Sequence, residues 1–282
     1  MAPPFYNDIT KNVNTLLNND YYHSQVASFE VSTVAKNGVK FNVKSKQSTQ
    51  GAPLSSTIET KINDKSTGLT LTQSWSNANN LNTKVELADI LTQGLKTELI
   101  TSMVPNVSKN AKFNVSFVQP SFTARGNFDL LTKPSFVGDL SLAHDGIVGG
   151  LQFGYDITQG SLSSYALALA YNQSDYSLGL SINNKQFTTV SFFQNVSSIL
   201  QVGAKATANV ASASNVNIEF ATKYVPDETS QVKAKIQDTG ILALAYKQEL
   251  RKGVTLGLGA SFNALNLNEP VHKLGGSLTF SA

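Results

Sequence analysis

From about Ala27 to its end the chain alternates apolar and polar residues, segment after segment, and that period of two is what a β-strand with two unlike faces requires. Val39, Phe41 and Val43 are apolar, and Lys40, Asn42, Lys44 and Lys46 between and beside them are polar. Leu69, Leu71 and Trp75 alternate with Thr70, Thr72 and Ser74. Val216, Ile218, Phe220 and Tyr224 alternate with Asn217, Glu219 and Lys223, and Val232, Ala234 and Ile236 with Lys233 and Lys235. No stretch approaches the roughly 18 consecutive apolar residues of a membrane-spanning helix. Each segment therefore builds one greasy face and one wet face.

Turn signals separate the segments: Asn37-Gly38, Asp64 to Gly68, Asn79-Asn80, Asp145-Gly146, Gln159-Gly160, Asn183-Asn184, Asp238 to Gly240 and Lys252-Gly253. They divide the chain into about 19 strands, the last from Lys273 to Phe280, with indistinct boundaries between Phe187 and Ala208. The remaining length gives each unit about 13 residues, a spanning strand of roughly 9–11 plus a short turn.

Alternation alone does not say which face points outward. A soluble sandwich turns its apolar face inward, and a membrane barrel turns it to lipid. The apolar faces here carry no Lys, Arg, Asp or Glu along the strands. Lipid imposes that ban, because a Lys or Arg facing mid-bilayer costs about 2–4 kcal/mol. Trp75, Phe122, Tyr155, Tyr165, Tyr176, Tyr224, Phe262 and Phe280 sit near strand ends, where interfacial girdles form. So many strands without a linker need closure to remove their edges. The expectation is an all-β fold: a single transmembrane β-barrel.

One helix is predicted, before the strands. Asn7 or Asp8 is positioned to cap it, and Ile9, Val13, Leu16 and Leu17 share one face. Lys11, Asn12, Asn14 and Asn18 lie on the other. An amphipathic helix of this kind needs an apolar wall. The expected division is a helical segment over 1–23 and a barrel over 24–282.

Composition removes other classes. With 22 Lys plus Arg against 19 Asp plus Glu, the net charge of +3 is too small for a strongly basic nucleic-acid protein. Without cysteine there are no disulfides or thiolate metal sites. No Walker loop, His-Glu-x-x-His or nucleophile elbow is present, and Gly257-Leu-Gly259 lies on a strand with no helix after it. No enzyme, cofactor or metal is expected. The first residues show neither a secretory signal pattern nor the arginines of a transit peptide.

The segment Tyr224-Val-Pro-Asp-Glu-Thr-Ser-Gln-Val-Lys-Ala-Lys-Ile236 resembles the signature of mitochondrial porins, the voltage-dependent anion channels. Pro3-Pro-Phe-Tyr-Asn-Asp8, Asp20-Tyr-Tyr-His23, Leu69 to Trp75, Asp145-Gly-Ile-Val-Gly-Gly150 and Glu269-Pro-Val-His-Lys273 continue the match over the whole length, in a form closest to fungal members. Barrels of that family have 19 strands, so the odd number is an implication of the resemblance with which the turn signals agree. It implies a parallel pairing of the first and last strands and a helix lying inside the pore. Lys273, Gly275, Leu278 and Phe280 match the family's carboxy-terminal sorting signal. Two positions depart from relatives: Gln73 stands where many animal members have glutamate, and Asn19 where many have lysine.

The resemblance implies a voltage-gated, weakly anion-selective channel of the mitochondrial outer membrane that passes ATP, ADP and phosphate. The alternative is a docking scaffold or a protein-import pore. On the polar parity, basic residues outnumber acidic ones, so the lumen should favour anions. The candidate selectivity and voltage-sensing residues are Lys11, Asp20, Lys40, Lys44, Lys46, Lys61, Lys84, Lys96, Lys233 and Lys235. Lys11 and the lysines at 40, 44, 46 and 61 are the leading group. Expected partners are the lipid bilayer, small anions and nucleotides in the lumen, a second copy of the chain, and cytosolic kinases or apoptotic factors. No nucleic acid is required.

Overall fold

The computed structural model describes residues 2–64, 66–211, 216–268 and 272–282. Lys65 of the expected turn at 64–68 and Glu269, Pro270 and Val271 of the sequence match lie outside the described residues.

Nineteen strands follow one another around a single sheet. They are β1 Ala27–Val34, β2 Lys40–Gln47, β3 Ser55–Asp64, β4 Leu69–Ser76, β5 Leu81–Ala88 and β6 Leu95–Val104. Then come β7 Ser108–Val118, β8 Phe122–Asp129, β9 Ser135–His144, β10 Ile147–Asp156, β11 Ser161–Asn172, β12 Tyr176–Asn183 and β13 Phe187–Asn195. The last are β14 Leu200–Asn209, β15 Asn217–Asp227, β16 Ser230–Gln237, β17 Ile241–Arg251, β18 Val254–Asn263 and β19 Lys273–Ser281. Neighbours in sequence pair antiparallel, and β1 pairs with β19 in parallel, which closes the barrel. An odd number of alternating strands forces that one parallel seam. Across it Phe29 faces Leu278 and Val31 faces Phe280, and the Phe29 and Phe280 rings lie 5.6 Å apart.

The alternation reads out as outward and inward faces. Trp75, Leu142, Leu151, Leu167, Leu169, Val190 and Ile236 are exposed on the outside, as they must be to meet lipid. Gln73 also points outward, between Thr60 and Thr83 on the adjoining strands. Among the described residues no helix is long and apolar enough to cross a membrane. The tight turns fall where the left-handed residues were placed: Gly38, Gly68, Asn79, Asp145, Gly146, Gly160, Gly240 and Gly253 all have positive φ.

Within the barrel lies one helix, α1, Lys11–Asn18, preceded by a 3-10 turn at Tyr6–Asp8 and followed by another at Tyr22–Ser24. The expected cap at Asn7 or Asp8 is not the one used. Asp8 belongs to the 3-10 turn, the N-cap is Thr10, and the Thr10 hydroxyl accepts a hydrogen bond from the Asn14 amide at 3.1 Å. The tighter turn uses up the residues that a helix starting at 7 or 8 would need. Asp20 takes φ +60° and turns the chain off the helix axis toward the wall.

Candidate functional site

The functional surface is the inside of the barrel, and α1 divides it. An eight-residue helix is too short to be stable alone in water, so its place depends on the wall. Val13, Leu16 and Leu17 are buried against Phe193 and Ala221. Ile9 is buried against Val148, Ala168 and Ala170, and Tyr21 against Ala243 and Ala245. Burying each large aliphatic side chain contributes about 1.5–3 kcal/mol.

The wall makes room with small residues at positions whose parity is polar elsewhere. A side chain at Gly203 would come within 2.8 Å of Leu16, and one at Gly179 within 2.7 Å of Thr10. Gly275 lets the Tyr22 and Gln25 carbonyl oxygens lie directly on β19. Together with Ala168, Ala170, Ala221, Ala243 and Ala245 these residues form a low apolar track along the inner face of β10 to β19. Sequence reading missed the track. Its signal was present, as Gly and Ala on the lumen parity of β10, β11, β12, β14, β15, β17, β18 and β19.

Polar contacts hold both ends of the segment. At its carboxy end the Lys233 ammonium donates to the carbonyl oxygens of Thr15, at 3.1 Å, and Asn19, at 2.8 Å, with the Tyr21 ring 4.8 Å away. The Thr15 carbonyl already accepts from the Asn19 N–H at 3.1 Å, and Asn19 is the C-cap, so Lys233 adds a cationic donor at the negative end of the helix. Lys247 approaches Asp20 at 3.6 Å. At the amino end Arg125 lies over the Phe5 ring, and the Thr123 hydroxyl donates to the Pro4 carbonyl at 3.3 Å.

The remaining lumen carries mixed charge. Lys84 and Lys96 share Glu86 and Glu98 in a closed network, with Lys96 at 2.6 Å from Glu86 and 2.7 Å from Glu98. Lys44 meets Glu30 at 3.3 Å, and Lys235 meets Glu219 at 3.7 Å. Lys40 and Lys61 are direct cross-strand partners on β2 and β3, and neither has an ion pair among the described residues; the same holds for Lys46. Lys11 is exposed on α1, 3.3 Å from Asp8. It lines a cleft with Lys223 and Lys233 from β15 and β16, so the structure separates it from the lysines of β2 and β3 with which it was grouped.

Of the proposed sorting residues, Leu278 and Phe280 face outward, while Lys273 and Gly275 face inward. His23 is half-buried where the segment reaches β18 and β19, and its imidazole pKa is lowered, first by burial and then by Lys235 and Lys273.

The sequence matches the family model described as "Eukaryotic porin" over residues 2–275. The chain belongs to the eukaryotic porin family. As a member, it is 62% identical to non-selective voltage-gated ion channel 1 of Saccharomyces cerevisiae, over the whole of both chains. It is 51% identical to the mitochondrial outer membrane protein porin of Candida albicans, again over both full lengths. With the voltage-dependent anion-selective channel of Drosophila melanogaster it shares 31% over both full lengths. Among solved structures it resembles a mutant of the Rhodopseudomonas blastica porin at a TM-score of 0.51 with 10% identity, over 86% of this chain and 97% of that one. That likeness concerns the barrel fold alone.

Proposed function

We propose that this eukaryotic porin is a voltage-gated, weakly anion-selective diffusion channel of the mitochondrial outer membrane, passing small ions and metabolites such as ATP, ADP and phosphate. It works by diffusion rather than catalysis. The observation that carries the reading is the charge left over inside the barrel. Lys40, Lys46, Lys61, Lys205, Lys223 and Lys273 have no ion pair among the described residues, and acids in that position, such as Glu59 and Asp156, are fewer. A barrel of this size leaves an aqueous channel, and its low-dielectric wall focuses the positive field.

The preference is weak because most lumen acids are matched by a neighbouring base, so no ring of one sign forms. Lys40, Lys46 and Lys61 then set selectivity. Lys44, Lys84 and Lys96 belong to neutral groups. Lys233 and Lys235 hold the pore segment, and Lys11 and Asp20 travel with it. One charge crossing 100 mV is worth about 2.3 kcal/mol, so partial movement of a few such groups suffices to bias a gate. Lys273, Gly275, Leu278 and Phe280 act as the sorting signal; their place on the strand that closes the barrel supports that role.

Liposomes loaded with ATP and a large dextran test the reading. Insertion of the chain should release ATP and retain dextran. Retention of both by a folded, inserted barrel would contradict it.

A further inference from the structure

The Arg125–Asp139 pair contributes no net charge to the lumen, yet it is the most thoroughly covered ion pair among the described residues. The Asp139 side chain is 0% exposed and that of Arg125 22%, whereas Lys112 and Asp129 nearby, on β7 and β8, are 52% and 19% exposed. The cover is the amino-terminal segment. Pro3 is buried, the Pro4 carbonyl accepts from Thr123, itself 1% exposed, and the Phe5 ring lies 4.9 Å from the guanidinium carbon. Residues 2–5 precede the first helical turn and join no strand; these contacts hold them to the wall, and the Phe5 carbonyl accepts from the Asp8 N–H at 2.8 Å.

The geometry suits an arginine. Nε of Arg125 donates to Asp139 Oδ2 at 2.8 Å, and a terminal nitrogen lies 2.7 Å from the same oxygen as an ion pair without hydrogen-bond geometry. The guanidinium carbon reaches to 4.9 Å from the Phe5 ring centroid while Nε stays bonded to Asp139, so one extended planar group serves both partners. A lysine ammonium is a compact point charge and does not span both. A selectivity role is unsuited to a neutral, covered pair, and a lone structural ion pair would not need an aromatic lid.

We propose that Arg125 is a positioning residue for gating: held by Asp139, it clamps Phe5 and so fixes the amino-terminal end of the pore segment, while Lys233 fixes the other end. The proposal rests on the channel reading above. Release of Phe5 frees the first turn of the segment, and with it the side of Ile9 that packs on Val148, Ala168 and Ala170.

The chain has no cysteine, so Pro3→Cys supplies a single buried thiol as a reporter. In that background, thiol labelling and voltage-dependent closure are measured together in reconstituted membranes for Phe5→Leu, Phe5→Trp, Arg125→Lys and the charge-balanced Arg125→Gln/Asp139→Asn. Labelling should quicken about tenfold in all but Phe5→Trp, the scale of a partly desolvated cation–π contact. Closure should set in at smaller voltages in those same variants, and the reversal potential of the charge-balanced double variant should not move. Unchanged labelling, or faster labelling with unchanged closure, overturns the proposal. Phe5 lies outside the sheet, so Phe5→Leu decides the matter even where an Arg125 variant fails to insert. Absence of conductance in the unsubstituted chain would sink the channel reading instead, while the labelling rates would still report on the clamp.

Discussion

The Lys233 ammonium lies 2.8 Å from the carbonyl oxygen of Asn19, and so a wall strand satisfies the end of a helix more than 200 residues before it in the chain. Lys233 is 3% exposed, with the Tyr21 ring on one side and α1 on the other. The buried charge is tolerable because two helix carbonyls and an aromatic face receive it.

Lys233→Met keeps the stem and removes the ammonium. The last turn of α1 should lose about 1.5–3 kcal/mol, the usual worth of hydrogen bonds to a charged group. The barrel should stay intact by circular dichroism while protease cleaves the segment near Asn19 faster and closure needs less voltage. An unchanged cleavage rate would show that the apolar contacts alone hold the helix.

Selectivity should follow uncompensated charge rather than the number of lysines. Lys40→Gln/Lys61→Gln removes two charges from the lumen and should move the reversal potential toward cations. Lys84→Gln/Glu86→Gln removes one of each sign from a neutral network and should leave it nearly in place. The anion preference itself should fade between 0.1 M and 1 M salt, as the screening length falls from about 10 Å to about 3 Å. Equal shifts in the two double variants would contradict the assignment.

Gly203→Val separates the wall from the helix. Valine favours a strand, so the pairing of β14 with β13 and β15 should hold. Its side chain would nevertheless occupy the place of Leu16, and α1 should be displaced. Larger current fluctuation with normal thermal stability of the barrel is the expected result. Loss of the barrel would mean that the glycine serves the sheet instead.

Acid should loosen the pore segment at His23. Its docked pKa lies below the ordinary 6.5, chiefly through burial. Above that value both docked and undocked forms are neutral and docking is at full strength. As pH falls below 6.5, the undocked imidazole takes up a proton first and docking weakens, until the docked form is protonated as well. Lys235 and Lys273 face the ring from the wall and both disfavour its cationic form. His23→Gln should flatten the step in closing voltage over that range; a persistent step would place the titrating group elsewhere.

The barrel was legible because lipid on one side and water on the other write a strict alternation that Leu69 to Trp75 and Val232 to Ile236 display without exception but Gln73. The helix face of Ile9, Val13, Leu16 and Leu17 was equally plain. What escaped were facts that need the barrel closed. Phe193 points inward to pack on α1 because its strand register places it there, not because of its polarity. Lys84 and Lys233 look alike in a list of lysines, yet one lies in a neutral network and the other beneath a helix. Arg125 met Asp139 only through the pairing of β8 with β9, and Phe5 only through the fold of the whole chain. The cap moved to Thr10 because the 3-10 turn at Tyr6–Asp8 takes up the residues before it.

The most direct test of the account is a planar-bilayer recording of the purified chain under a KCl gradient, with voltage ramps of both signs. A large conductance near zero voltage, a reversal potential displaced slightly toward that of chloride, and closure at either polarity are predicted. A reversal potential displaced toward potassium, or no conductance from a chain shown to be folded and inserted, would contradict it.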